Sequence, residues 1–343
     1  MTPRVIIKAG KSEIGGDKTF IIADIGSNHK QDLSLAKESI IAAAEAGADA
    51  IKFQSIQLHE LYHRPDTKTS AFIRKLEFPE EWHAILKEFC DQRNIVFFSS
   101  PTYLKAVDLL ESVNVPLYKL ASAQIGTFPQ IVEKVASLNK PTIFSTGIAA
   151  YEEVIAAVNI FRKYNNDKFI ILHCNSIYPT PADRVNLQLM KVYEQMFGNP
   201  IGFSDHTEGT AIAGAAVSLG AKVIEKHFTL DRNLDTPDSN SFACDPGELK
   251  KLVMEIRAIE SATRRHQTRL DIQPEEKAFK DSIRTRLVLT RNKEHGEDFT
   301  PDDFAFLRSD AGVDCNELPI VLKKRAGRSL RKGELLTYAD LQT

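Results

Sequence analysis

Eight times between residues 20 and 263, a short β-branched or aromatic run is followed by a stretch of helical period. The strand-like runs are FIIADIG (20–26), AIKFQ (50–54), IVFFSS (95–100), YKLAS (118–122), PTIFSTG (141–147), FIILHC (169–174), IGFSDH (201–206) and KVIEKHF (222–228). Helical stretches are expected at 33–47, 79–93, 103–113, 128–138, 150–164, 187–197, 209–219 and 246–263. Such alternation makes the strands parallel, since each helix returns the chain to the start of the next strand. Eight units in about 245 residues predict a TIM (β/α)8 barrel. A doubly wound open sheet is the alternative. It would usually carry a glycine-rich phosphate loop after its first strand, and ADIGSNHKQD (23–32) does not fit GxGxxG.

The flanks differ from the repeat. VIIKAG (5–10), a KSEIGG turn and the following TFIIAD read as a small hairpin capping the barrel floor, so the barrel unit is taken as 1–264. Residues 265–282 are polar and charged with little strand-like alternation, and read as a linker. Residues 283–343 hold short strand-like pieces such as TRLVLT (285–290) and glycine-containing turns, which suggests a small β-rich domain that needs something to pack on.

Charge removes one class of function. Forty-four Lys and Arg against 46 Asp and Glu give a net charge of −2, without the basic excess of a nucleic-acid binder. Cys90, Cys174, Cys244 and Cys315 are too far apart for a zinc ribbon or a redox dithiol, and read as free thiols of a reducing cytosol. No run of eighteen apolar residues and no signal-type N-terminus occurs, so a cytoplasmic protein with no membrane partner is expected.

A barrel of this kind reacts at the C-terminal ends of its strands. Polar residues gather at those positions: Asp24, Asn28 and His29; Lys52 and Gln54; Ser99 and Ser100; Lys119, Ser122 and Gln124; Ser145 and Thr146; His173, Asn175, Ser176 and Tyr178; Ser204, Asp205 and His206; Glu225, Lys226 and His227. His206 and His227 end neighbouring strands, about 4.8 Å apart in a ring, and two imidazoles so placed can share a metal, with Asp238 to complete or orient the site. A lone histidine more often bonds locally; the matched pair reverses that preference. Lys52, Lys119, Ser100, Ser122, Ser145, Ser176 and Ser204 form a second set, of cations and hydroxyls suited to a phosphate. Each serine alone is as readily a helix cap. A lysine inside an apolar strand, however, needs an anion to justify its burial. Cys174 beside His173 is the one candidate nucleophile, and a small buried apolar residue is the better reading. No GxSxG elbow occurs.

The strings ADIGSNH (23–29), IKFQ (51–54), KLASAQ (119–124), STG (145–147), LHCNSIYPTP (172–181), GFSDHT (202–207), GAKVIEKHFTLDR (220–232) and PDSNSFACDP (237–246) resemble the sialic acid synthase family over nearly the whole chain. These are phosphoenolpyruvate-dependent synthases of N-acetylneuraminate and related nonulosonic acids. The resemblance implies a barrel followed by a C-terminal antifreeze-like (SAF) domain, in a homodimer where each small domain covers the partner's barrel mouth. It implies a metal on His206 and His227, Mn2+ by family analogy, with Mg2+ and Co2+ as alternatives. Phosphoenolpyruvate is then expected at Lys52, Ser100, Lys119, Ser122, Ser145, Ser176 and Ser204. Catalytic positions fall on Asp24, Gln124, Tyr178 and Asp238, and sugar contacts on Gln54, Asp238 and, from the small domain, Arg308.

The expected reaction is attack by C3 of phosphoenolpyruvate on an open-chain aldose, N-acetylmannosamine or a related 2-acetamido sugar, with release of phosphate. Three departures bear on which aldose is used. The family has Glu where this chain has Asp24, Glu where it has Gln124, and GPDH where it has TPDS (236–239). The alternatives are a synthase for a different sugar, a shorter-sugar octulosonate or heptulosonate synthase, a metal hydrolase on the same barrel, and a non-catalytic binding relative.

Overall fold

The computed structural model describes residues 5–263 and 272–343. The chain divides into two compact units, 1–264 and 265–343. The first begins with β1 (Ile7–Ala9) and β2 (Ser12–Ile14), an antiparallel pair. Eight parallel strands follow: β3 (Phe20–Gly26), β4 (Ala50–Ser55), β5 (Val96–Pro101), β6 (Tyr118–Leu120), β7 (Thr142–Ser145), β8 (Phe169–Cys174), β9 (Ile201–Asp205) and β10 (Val223–His227). Their order is β5-β4-β3-β10-β9-β8-β7-β6. The end strands β5 and β6 pack on each other. The sheet is therefore a nearly closed barrel, as the alternation predicts.

The two-residue period of the strands sorts the side chains. Ile22, Ala50, Phe98, Leu117, Ile143, Ile170, Leu172 and Val223 share one buried cluster with Ile7, Ala9 and Ile14. Intervening residues such as Ile21, Ile51, Phe53, Phe97, Phe144, Phe169, Ile171, Phe203 and Ile224 belong to the larger cluster under the helices. Each large apolar side chain buried in this way contributes about 1.5–3 kcal/mol. The hairpin is thus a plug in the lower barrel. Its second arm is Ser12–Ile14, within the segment expected to be only a turn, while the TFIIAD run is barrel strand β3.

The helices lie where expected, most of them shortened at their ends and the last, Pro246–Thr263, at the expected bounds. Leu33–Ala46 starts at Asp32, whose carboxylate accepts from Ser34 N and Leu35 N, satisfying amides that open a helix unpaired. Pieces not anticipated are Leu58–Leu61 and Thr67–Arg74 after β4, and Ser122–Thr127 after β6. No helix among the described residues is long and apolar enough to cross a membrane. The four cysteines are free.

In the second unit, part of the expected linker is ordered as the helix Pro274–Ser282, with Glu276 reaching back to Gln273 N; residues 265–271 of that segment lie outside the described residues. β11 (Thr285–Leu289) pairs antiparallel with β12 (Phe304–Arg308), and β13 (Arg325–Ala326) with β14 (Leu341–Gln342). Leu287, Leu289, Phe299, Phe304, Val313, Val321, Ala326, Leu330 and Leu336 form its core. Asp303, fully buried, holds Lys293 at 2.8 Å.

Candidate functional site

Two residues beyond the apolar inward layer, the same strand faces carry Asp24, Lys52, Ser100, Lys119, Ser145, Cys174, Ser204 and Glu225, one from each barrel strand and all buried. Glu225 is the hub. Its Oε1 accepts from Ser204 Oγ at 2.8 Å and lies 3.4 Å from Lys119 Nζ, while its Oε2 is 3.5 Å from Lys52 Nζ. Lys52 also meets Asp24 Oδ2 at 2.7 Å, and Lys119 donates to Ser145 Oγ at 2.8 Å. Ser100 Oγ is buried without a hydrogen-bond partner, which is costly unless a ligand engages it, and Glu225 Oε2 has only its long ion pair with Lys52.

The electrostatics follow from burial and pairing. Burial opposes the charge on Lys52, but Asp24 and Glu225 outweigh it and hold the ammonium above the usual lysine range. For Lys119 burial prevails, with Lys52 pushing the same way against Glu225, and its pKa is lowered. Burial pushes Glu225 up, yet Lys119 and Lys52 together hold its carboxyl below the ordinary range. The anions that the two buried lysines require are supplied by the protein itself, Asp24 and Glu225. A phosphate would have to compete for ammonium groups that already have partners.

One step further toward the mouth stand His206 and His227, ring centroids 5.3 Å apart. His206 Nδ1 lies 2.7 Å from the Asn175 carbonyl, which can only accept, so the proton sits on Nδ1 and Nε2 keeps its lone pair. Burial first, and then His227, lowers the His206 pKa to about 3. His227 has Nε2 3.7 Å from Asp24 Oδ2 and Nδ1 3.7 Å from Asp238 Oδ1; that Nδ1 is buried without a hydrogen bond. An imidazole beside a carboxylate, with an orphaned ring nitrogen, is a donor set that fits a divalent cation. Among the described residues no group of three or more His, Cys, Asp or Glu side chains is arranged to hold a metal. The chain therefore offers two imidazoles, not a full cage. Tyr178 packs over His206 at 4.3 Å and Phe242 walls His227 at 5.1 Å.

The first motif builds this corner. Gly26 sits at φ +53°, and a Cβ there would lie 2.4 Å from Asp238 Oδ2. Ser27 donates to that oxygen from its N–H at 2.7 Å and its hydroxyl at 2.6 Å, and Asn28 Nδ2 bonds the carbonyls of Phe228 and Asp238. The Asp238 loop is thereby pinned over β3. On the other side Ser122 Oγ and Ser176 Oγ are 3.2 Å apart, and Gly147 has no room for a Cβ, which would meet both within 2.5 Å.

The structure divides the strand-end residues. Lys52, Ser100, Lys119, Ser145, Ser204, Asp24, His206, His227 and Asp238 converge, with Tyr178, Ser122 and Ser176 at the rim. Ser99, His173, Asp205 and Lys226 do not: Ser99 bonds Ser55, His173 bonds the Val185 carbonyl, and Lys226 pairs with Asp205. His29 is packed among Phe53, Phe78 and Trp82, where burial lowers its pKa to about 4. Cys174 lies 3.8 Å from His206 Nδ1, but burial raises its thiol to about 11, so it is no nucleophile at neutral pH. Gln124 is buried with Oε1 unpartnered, and Gln54 is half-buried. Arg308 is exposed at the end of β12 in the second unit. Glu225 is the strand-end residue to which the sequence assigned no role. Its signal was its spacing, two before His227 on a strand and therefore on the same face.

A family model described as the NeuB family matches residues 39–268. An uncharacterized protein of Methanocaldococcus jannaschii is 38% identical over 98% of both chains. The N,N'-diacetyllegionaminic acid synthase of Campylobacter jejuni is 36% identical, over 93% of this chain and 99% of that one. The crystal structure of N-acetylneuraminic acid (sialic acid) synthetase from Leptospira borgpetersenii, in complex with citrate, matches with a TM-score of 0.74 at 35% identity, over 81% of this chain and 96% of that chain.

Proposed function

Since this chain belongs to the NeuB family, we propose that it is a synthase joining phosphoenolpyruvate to an open-chain 2-acetamido aldose, N-acetylmannosamine or a close relative. The product is a 2-keto-3-deoxy nonulosonic acid, with inorganic phosphate released. The observation that supports this reading best is the layering inside one barrel: an ammonium and hydroxyl ring at Lys52, Lys119, Ser145 and Ser204, and immediately outward two imidazoles with a carboxylate on either side.

In this reading Lys52 and Lys119, with Ser100, Ser122, Ser145, Ser176 and Ser204, hold the phosphate and carboxylate of phosphoenolpyruvate. Glu225 yields part of its hold on the lysines as the substrate's anions take over. His206 and His227 would hold a divalent cation, Mn2+ in this reading, which when bound supplies Lewis acidity at a carbonyl oxygen. The aldehyde carbon accepts the bond from C3 of phosphoenolpyruvate, and its oxygen takes up a proton. A water adds at C2 and loses one proton, and the resulting C2 hydroxyl gives up the other as the C2–O bond to phosphate breaks, leaving the 2-keto group and inorganic phosphate. Asp24 and Asp238, flanking His227, are the carboxylates available for these proton movements. Gln124 offers a neutral acceptor for a sugar hydroxyl in place of a base, and Gln54 and Tyr178 line the sugar's approach.

The reading extends to residues 283–343 as an antifreeze-like domain, and to a cytoplasmic homodimer in which the exposed Arg308 serves the partner's barrel. The deciding experiment is to incubate the protein with Mn2+, phosphoenolpyruvate and a panel of 2-acetamido aldoses. Phosphate release with one of them is expected. Silence with all, despite demonstrated binding of metal and phosphoenolpyruvate, overturns the reading. Gln124→Glu then separates a catalyst from a binding protein: activity appearing only in the variant marks the natural chain as binding-only.

A further inference from the structure

Behind the two histidines lies an ion pair that the chemistry above does not use. Lys226 Nζ and Asp205 Oδ2 are 3.0 Å apart, at 1% and 0% exposure. They stand directly across the ladder from each other, Lys226 opposite Asp205. Each is the residue before a histidine, so in a strand it faces away from the barrel interior, toward the helices. The pair also grips the peptide that follows His206: Asp205 Oδ1 accepts from Thr207 N at 2.8 Å, and Lys226 donates to the Thr207 carbonyl. Other bonds fix the same two turns, from Thr180 N to the His206 carbonyl and from Cys244 N to the His227 carbonyl, both 2.8 Å.

We propose that Asp205 and Lys226 are positioning residues that set the separation and orientation of His206 and His227 for a shared divalent cation. A fully buried ion pair is a poor means of gaining stability, because desolvating both charges offsets their attraction, and apolar or neutral replacements of both partners often leave stability unchanged or raised. What the pair provides is direction. It clamps the ends of the two histidine-bearing strands at one spacing and fixes the turn after His206, as residues behind metal ligands do.

The inference rests on the reading of His206 and His227 as metal ligands, and the test separates the two. Mn2+ is titrated into the full-length protein and into Asp205→Asn/Lys226→Met, followed by the paramagnetic resonance of free Mn2+, alongside thermal melts. The double variant keeps an acceptor for Thr207 N and removes both charges. The expected result is a melting temperature near that of the wild type with Mn2+ affinity weaker by about 10-fold or more. Lys226→Gln, which retains hydrogen bonding to the Thr207 carbonyl, serves if the double variant does not fold, with the same expected loss. Unchanged affinity in a folded variant overturns the proposal, as does failure of both variants to fold, which marks the pair as a stability element. If the wild type itself binds no Mn2+, the metal reading falls. The histidine ring 1H–15N signals of metal-free protein then decide, and rings unmoved in the variants overturn the positioning role as well.

Discussion

Glu225 and Lys119 face each other across 3.4 Å inside the barrel, two opposite charges almost wholly out of water. Because Glu225 also meets Lys52, removing its charge leaves Lys52 with Asp24 alone and Lys119 with only the Ser145 hydroxyl. Glu225→Gln is expected to lower stability by about 3–5 kcal/mol, the usual cost of stranding a buried charge. Millimolar phosphoenolpyruvate should restore more stability to the variant than it adds to the wild type, since the ligand supplies the missing anion. Urea unfolding with and without phosphoenolpyruvate measures both; a variant as stable as the wild type would contradict the pairing.

His29 gives a pH dependence away from the reacting centre. Burial holds its pKa near 4 against 6.5 for the free side chain, so the native state keeps it neutral. The stability it contributes is complete above pH 6.5 and is lost as pH falls from 6.5 through 4, because the unfolded chain takes up the proton first. The loss amounts to about 3 kcal/mol. His29→Phe, which suits the aromatic cluster of Phe53, Phe78 and Trp82, should flatten that part of the stability profile in denaturant titrations from pH 4 to 7.

Gly26→Ala tests the Asp238 corner. The left-handed backbone costs the variant about 1–2 kcal/mol, and the new methyl must displace the Asp238 carboxylate. The KM for the aldose is expected to rise about 10-fold or more, with the KM for phosphoenolpyruvate nearly unchanged. Equal increases in both would mean that Asp238 does not serve the sugar alone.

His206→Ala and His227→Ala should each reduce turnover to about 1% or less of the wild type; both rings are buried against Tyr178 and Phe242, so each variant should also lose some melting temperature while still folding. Initial rates and thermal melts suffice. Wild-type turnover in either variant removes the cation from the reaction.

The barrel was legible because its signal is periodic: eight β-branched runs with helical stretches between them leave few other arrangements. Within strands, the two-residue period carries as much information and was underused. It sorts Ser100 from Ser99, Cys174 from His173, and the inward Glu225 and His227 from the outward Lys226. The Glu225 contacts lay beyond that period, since its strand is the last of the barrel and comes beside the first only through closure of the ring, whereas Asp24 stands opposite Lys52 on the next strand in sequence. The helices at 67–74 and 274–282 escaped notice for a different reason. Both are short and largely polar, and their start signals, Asp66 and the Gln273–Glu276 pair, are local caps that a search for apolar period passes over.

The plug formed by Ile7, Ala9 and Ile14 makes the barrel a blind well. Under the proposed function, a ligand seated against the deep lysines is expected to arrive before the compound that settles at the imidazoles. In a two-substrate condensation this imposes a queue by geometry alone, with the small acid first in and its companion stacked above as the stopper.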